Sequence, residues 1–379
     1  MEIVLQKVLG LEWAGGRLDT VVLAHKCASS SALVPLLAPS LWLLSKSKHG
    51  RSFNTVSNYA NALKIFFSII EKNDLGENDW KCIGDREMST YLFSYLQQTR
   101  QLSDKSISRD ITVLDSFYNW AYKKGFAVSR PTFSFTYEKK NRRNRQGGSS
   151  AHSIKRMHKE YIDQESFEFL LENVTNKNPF INERNCLTLE LGYKLGLRAA
   201  EVTHPKNLNT TKLRNLIENE PTGSSIEIDI FGKRNKWRTV IVPPDLVDNI
   251  DRFLNKRRKY YPDGPLICST KGKILSASFA SKVFRKCRIH TNSEEWKDRR
   301  FHSLRKSFAT NLVAWCYLHG IDPWQMVPER MGHESSETTK IYVFFDAVYN
   351  MRTDVIRTLS LENYSFNFNK KRLRKNEKK

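Results

Sequence analysis

Between Lys139 and Ser150 the sequence changes character more sharply than anywhere else. KKNRRNR at 139–145 puts five basic residues in seven, and Gly-Gly-Ser-Ser follows at 147–150. A stretch so charged and so poor in apolar side chains cannot enter a core, and Gly/Ser runs behave as flexible chain. The protein must therefore fold as two blocks, one on each side. Its 379 residues suit about two domains. Hydrophobic residues (40%) and aromatics (11%) are sufficient for two real cores. With only 17 Gly, 12 Pro and 6 Cys, collagen-like, low-complexity and disulfide-scaffold classes are excluded.

Charge narrows the partner. Lys and Arg number 62 against 40 Asp and Glu, a net +22. Such an excess suits a polyanion, either nucleic acid or an anionic membrane surface. The longest apolar stretch, Ala32 to Leu44, is too short to span a bilayer and carries Pro35 and Pro39. The start, MEIVLQKVLGLEW, lacks the basic region and small-residue cleavage site of a secretory signal. Cys27, Cys82, Cys186, Cys268, Cys287 and Cys316 are scattered without a Cys-x-x-Cys pair, as expected of reduced thiols in a cytoplasmic protein with no metal site. A mere solubility device would disperse its charge, whereas this charge is clustered, with seven Lys/Arg in the last ten residues. For 139–145 three readings stand: a strap along phosphates, a solvated run, or a localisation signal.

Apolar periodicity fills in the blocks. In 1–30, Ile3 to Leu5 and Thr20 to Leu23 can form short strands around Gly15-Gly16. From Leu33 to Phe126 the pattern is helical: Val56, Tyr59, Leu63 and Phe66–Phe67 share a stripe. Met88 to Leu96 continues it, and Ser103 can cap a helix through Ile107, Ile111, Leu114, Phe117 and Trp120. Beyond Tyr161, Asp163 is a candidate N-cap and 182–196 a helix. SIEIDIF at 225–231 and WRTVIV at 237–242 flank a turn at 232–236 and predict a hairpin. Helices are predicted near 245–259, 276–289, 304–318, 322–330 and 336–345. The expected fold is mainly α with a small β-hairpin. Its expected segments are an N-terminal extension (1–30), a helical domain (31–137), a basic linker (138–160), a mixed α+β domain (161–357), and a C-terminal segment with a basic tail (358–379).

Four separated segments group unusual cations: GLRAAE at 196–201, GKRNK at 232–236, HSLR at 302–305, and MGH at 331–333 with Tyr342 nine residues on. In HSLR the i, i+3 spacing sets His302 and Arg305 on one helical face. Each piece alone has an ordinary structural reading: Arg198 at a helix end, Lys233 solvated in a turn, His333 in a turn, Tyr342 as a core aromatic. The ordered set carries the signal.

In that order and spacing, GLRAAEV (196–202), GKRNKWRTVIVP (232–243), HSLRKSFATNL (302–312) and MGHESSETTKIY (331–342) resemble the tyrosine recombinases of the phage integrase family. The helical block, through 51–67 and 104–121, is similar to that family's SAM-like core-binding domain. Lys306, where many relatives carry His or a polar residue, and Val343-Phe344, where many have Thr-His, depart from the pattern. Residues 1–30 have no counterpart in it.

The resemblance implies a catalytic set of Arg198, Lys233, His302, Arg305, His333 and Tyr342. Tyr342 would attack a DNA phosphodiester, giving a 3′-phosphotyrosyl link and a free 5′-hydroxyl, and a second 5′-hydroxyl would reverse the step. The residue types fit. A phenol of ordinary pKa about 10 needs help near neutrality. Planar guanidiniums of Arg198 and Arg305 can clamp the charged non-bridging oxygens. Lys233, with Lys236 as the alternative, can protonate the leaving oxygen. His302 would take the tyrosine proton or orient the phosphate, and His333 would donate to it. Glu201 either orients Arg198 or packs structurally. A covalent intermediate stores the bond energy, so no cofactor, metal or ATP is expected.

The partner implied is double-stranded DNA, clamped by the two domains with the linker running between them. Candidate contacts are Arg51, Lys105 and Arg109 in the helical domain, Lys139, Lys140, Arg142, Arg143 and Arg145 in the linker, and Lys282 and Arg285 on the 276–289 helix. Recombination between two sites implies a homotetramer on DNA, with room for accessory DNA-bending or directionality proteins. The segment 358–368 would dock on a neighbouring subunit or on its own chain. Two other functions share these features: a type IB topoisomerase, separated by its independence of a second site, and a non-catalytic DNA-binding regulator, which an intact catalytic set disfavours. An RNA-binding protein fits less well, since no RNP-like aromatic motif is present.

Overall fold

The computed structural model describes residues 2–13, 15–27, 32–72, 79–133, 156–232, 235–332 and 336–351. The chain divides into two compact units, Met1–Arg145 and Gln146–Lys379. The linker cations Lys139, Lys140, Arg142, Arg143 and Arg145, the residues Lys233 and His333, and the segment 358–379 lie outside the described residues.

The first unit opens with a three-stranded antiparallel sheet of β1 (Glu2–Trp13), β2 (Gly16–Lys26) and β3 (Leu33–Pro35), in the order β1-β2-β3. Helices α1 (Leu37–Lys48), α2 (Phe53–Lys72), α3 (Asp85–Thr90) and α4 (Asp104–Lys123) follow. The strands are longer than the short hairpin expected of 1–30, and they are not a separate extension. Ile3, Val21 and Leu23 enter the same core as Trp42, Leu63, Phe66 and Phe117. The reason is the burial of β2 on both faces over Thr20–His25, which takes the apolar faces of α1 and α2 to cover it. Past Thr90 the chain winds as a π-helix over Tyr91–Thr99 rather than continuing the α-helical stripe. Ser103 caps α4 as its sequence predicts, accepting from the backbone N–H of Ser106. Phe117, fully buried, touches the rings of Trp42, Phe67, Trp80 and Tyr118.

The second unit begins inside the expected linker, because 156–160 form a helical turn, α5, with Met157 buried. Then come α6 (Gln164–Glu172), α7 (Pro179–Lys194), α8 (Ala199–Val202), α9 (Thr210–Asn219), the hairpin β4 (Ile226–Phe231) and β5 (Trp237–Val242), α10 (Pro244–Lys256), α11 (Phe279–His290), α12 (Phe301–Leu318), α13 (Pro323–Met331) and α14 (Ser336–Tyr349). Asp163 caps α6 as expected, accepting from Ser166. The central element is α12, packed on α7, α11, α13 and α14. Two cores meet along it: Leu304 and Phe301 face the large one with α7 and the hairpin, while Ala309 and Val313 face a smaller one with Met331, Tyr342 and Phe345. Contact between α7 and α12 is close, since a Cβ on Gly192 would lie 2.7 Å from the Phe301 ring.

Truncating Phe117→Ala removes the hub of the first unit's aromatic core. Chemical denaturation should show it less stable by about 3–5 kcal/mol, the usual cost of a buried Phe cavity.

Candidate active site

Three tight positions build the site. Arg198 precedes the short helix α8, whose Glu201 reaches back one turn to the Arg198 backbone N–H at 2.9 Å. The turn before it needs Gly196, whose φ is +62°, and a Cβ there would meet the Phe308 ring at 2.5 Å. Arg305 lies on the first turns of α12 with its side chain 2% exposed. The third position is the end of α13, closed by Gly332 in the left-handed region at φ +58°.

Three arginines converge on that helix end. A helix leaves its last carbonyls without intrahelical donors. Here Arg238 Nε donates to the Arg330 carbonyl at 3.1 Å, Arg305 Nη2 donates to that of Met331, and Arg198 Nη2 reaches that of Gly332 at 3.4 Å. Arg305 Nη1 also donates to the Gly196 carbonyl, tying the α13 end to the turn before Arg198. The negative end of the helix dipole favours all three cations.

Their shared counter-ion is Glu201, buried at 4% exposure. Arg238 donates to both of its oxygens, at 2.9 and 2.7 Å; Arg198 Nη1 donates to Oε1 at 2.7 Å; Arg305 Nη1 stands 3.9 Å from Oε2. Burial alone would raise this carboxyl, but hydrogen bonds and charge from Arg238, with the backbone N–H and charge of Arg198, outweigh it and hold it at about 2. Arg305 is disfavoured by burial and by the like charges of Arg198 and Arg238, with Glu201 compensating, and it stays a cation. Three positive charges against one negative leave the cluster an anion receptor.

His302 and Tyr342 border this cluster. The His302 edge is open to solvent, yet the protein around it, then the charges of Arg305, Lys306 and Arg198, push its imidazole down to about 4, with Glu160 opposing. Tyr342, 6% exposed among Met157, Val313 and Met331, has its phenol raised chiefly by burial. Glu160 acts in the same direction on it, while Arg305 and Arg198 work to lower it. At neutral pH both groups are therefore uncharged, a protonated phenol and a neutral imidazole. Glu160 itself is held ionised by Lys306, its ion-pair partner, and by Arg156 at 2.7 Å.

Of the sequence-predicted catalytic set, the structure thus gathers Arg198, just before α8, His302 and Arg305 on α12, and Tyr342 on α14. Lys233 and His333 lie outside the described residues, but the glycine before each is placed. Cβ atoms on Gly232 and Gly332 would come within 3.1 and 3.2 Å of the Arg238 side chain. Of the predicted DNA contacts, Arg51 follows α1, Lys105 and Arg109 lie one turn apart on α4, and Lys282 and Arg285 lie on α11, all exposed. Arg109 also faces Asp110 at 3.8 Å. Sequence reasoning missed Arg238 and Glu160, which pairs with Arg156 and Lys306. The signal for Arg238 was present: in β5 it shares a face with buried Val240 and Val242, and an inward-facing arginine requires a buried anion. Among the described residues no group of three His, Cys, Asp or Glu could hold a metal ion, and no helix is long and apolar enough to cross a membrane.

In the free protein the His302 ring should titrate with a midpoint near 4 when followed by NMR. Between about pH 4 and the ordinary 6.5 the unfolded chain binds this proton and the folded chain does not, so stability falls as pH drops through that window. A midpoint near 6.5 would contradict this electrostatic account.

Comparison with known proteins places the fold. Residues 160–347 match the phage integrase family, and residues 44–125 match the phage integrase N-terminal SAM-like domain. The chain is 25% identical over 299 residues to tyrosine recombinase XerC of Leptospira interrogans serogroup Icterohaemorrhagiae serovar copenhageni, covering 79% of this chain and 85% of the relative. It is similar in fold to the XerH site-specific recombinase bound to palindromic difH substrate in a post-cleavage complex, with a TM-score of 0.57, 22% identity and 85% of each chain covered. A lambda integrase tetramer bound to a Holliday junction gives a TM-score of 0.53 at 14% identity, over 80% of this chain and 76% of that one. With both of its units matched and its motifs in the family's order, the chain belongs to the phage integrase family of tyrosine recombinases.

Proposed function

We propose that this chain is a site-specific DNA recombinase that cuts and rejoins strands through Tyr342. The observation that carries this reading is the convergence of Arg198 and Arg305 on one carboxylate and one helix end, with Tyr342 and His302 within reach of their charges. Such a receptor suits a phosphodiester, and the charge that grows on the non-bridging oxygens in the transition state is what it stabilises most. The Tyr342 hydroxyl attacks phosphorus, and its proton passes to neutral His302. The bond to the 5′-oxygen breaks, and Lys233 protonates that oxygen. A 3′-phosphotyrosine and a free 5′-hydroxyl result. Attack by another strand's 5′-hydroxyl reverses each transfer, so bond order is conserved and no external energy source enters.

Burial of both Tyr342 and Arg305 makes this conformation a closed one. DNA engagement must expose the phenol and free part of the Arg305 fork from the Gly196 and Met331 carbonyls. Residues 31–137 act as core-binding domain and 161–357 as catalytic domain. The cations at 139–145, with Arg51, Lys105, Arg109, Lys282 and Arg285, supply non-specific phosphate attraction. The working form on two DNA sites is a tetramer; the lambda integrase neighbour is a tetramer on its junction. Such chemistry belongs where the DNA is, in the cytoplasm.

On a nicked suicide substrate the protein should form a covalent DNA adduct. Tyr342→Phe should abolish the adduct while leaving DNA binding intact in a mobility shift. An adduct that survives this substitution would refute the assignment.

A further inference from the structure

We propose that Arg238 is a positioning residue for strand cleavage: it occupies Glu201 so that Arg198 and Arg305 keep their charge for the scissile phosphate. The Arg238 side chain is 8% exposed and its donors are spent inside the protein, on both oxygens of Glu201 and on the Arg330 carbonyl. Three of its five N–H groups are thus committed and little of the side chain reaches solvent, which separates it from Arg198, 29% exposed.

Its role follows from the charge balance of the pocket. Glu201 is one carboxylate facing two clamp arginines, Arg198 at 2.7 Å and Arg305 at 3.9 Å. In so buried a place, a carboxylate without a dedicated partner would draw both of them in and neutralise the receptor. The planar, two-pronged contact of Arg238 engages both oxygens at once, so Glu201 shares its single charge among its partners while it holds Arg198 by its backbone N–H and one guanidinium nitrogen, and less of that charge is left to offset the two clamp arginines. Lysine, a point charge, cannot do the same. The side chain also sits against Gly232 and Gly332, so the same contact fixes the residues just before the hairpin lysine and just before His333.

This inference rests on the recombinase reading, and the test separates the two. Single-turnover adduct formation is followed with the full chain on a nicked duplex carrying the site that the protein selects from a random DNA pool. Loss of a Tyr342-dependent adduct in the unsubstituted protein counts against the recombinase reading itself. Given that adduct, Arg238→Ala should cleave about 100-fold more slowly with affinity for uncut DNA within about threefold, as expected for a lost transition-state interaction. Adding Glu201→Gln to Arg238→Ala removes the surplus negative charge and should recover about tenfold of that rate. Arg238→Lys, which keeps the charge and guards against failure of the alanine variant to fold, should be intermediate. On a substrate whose scissile phosphate is an uncharged methylphosphonate, the penalty for Arg238→Ala should shrink to a few-fold, because less charge needs the clamp. A double variant no faster than Arg238→Ala, or an equal penalty on charged and uncharged substrates, would show Arg238 to be structural only and overturn the proposal.

Discussion

The buried carboxylate of Glu201 is the constraint on which the pocket depends. An isolated ionised carboxylate in such a place is strongly disfavoured, and it persists only because guanidinium groups from three separate segments surround it. The reverse holds as well: three arginines gathered together would repel one another without it. The α13 end completes the arrangement, since its unsatisfied carbonyls accept one donor from each arginine. Anion and dipole together let a strongly cationic receptor exist before any phosphate arrives, which is the meaning of electrostatic preorganisation.

The same network explains how distant pieces of chain are brought into register. Arg198 comes from the turn after α7, Arg238 from the hairpin, and Arg305 from α12, and each is fixed twice, once to Glu201 and once to α13. Close packing leaves little slack. Gly196 is required by a positive φ and by the Phe308 ring, and Gly332 by its left-handed cap against Arg238. The proposed nucleophile is held differently. Tyr342 is seated in an apolar core beside α5, whose Glu160 pairs with Lys306 one turn beyond His302. The start of the second unit is thus built into the neighbourhood of the Tyr342 phenol and the His302 imidazole.

Lys306 shows how a departure from the family pattern is absorbed. Its ammonium is tied to Glu160 and still contributes to keeping His302 neutral. A neutral imidazole is the form that can accept the phenolic proton. Lys306 therefore acts on the electrostatics around His302 without entering the arginine cluster.

Much of this was legible in the sequence. Periodicity and caps located α4, α6, the β4–β5 hairpin and α12 within a few residues, because the forces that set them are local: an apolar stripe, a serine or aspartate before it, a glycine after it. Residue type and order also sufficed to expect that Arg198, His302, Arg305 and Tyr342 would meet in one place, as they do. Other features depended on contacts between segments far apart in sequence. The N-terminal strands joined the first core because α1 and α2 offered an apolar surface that no local pattern in 1–30 discloses. The alternation of β5 put Arg238 on its inward face, but only the folded chain supplied Glu201 as its partner. Which charges become partners is settled by distance and dielectric, and both are properties of the folded chain rather than of the order of its residues.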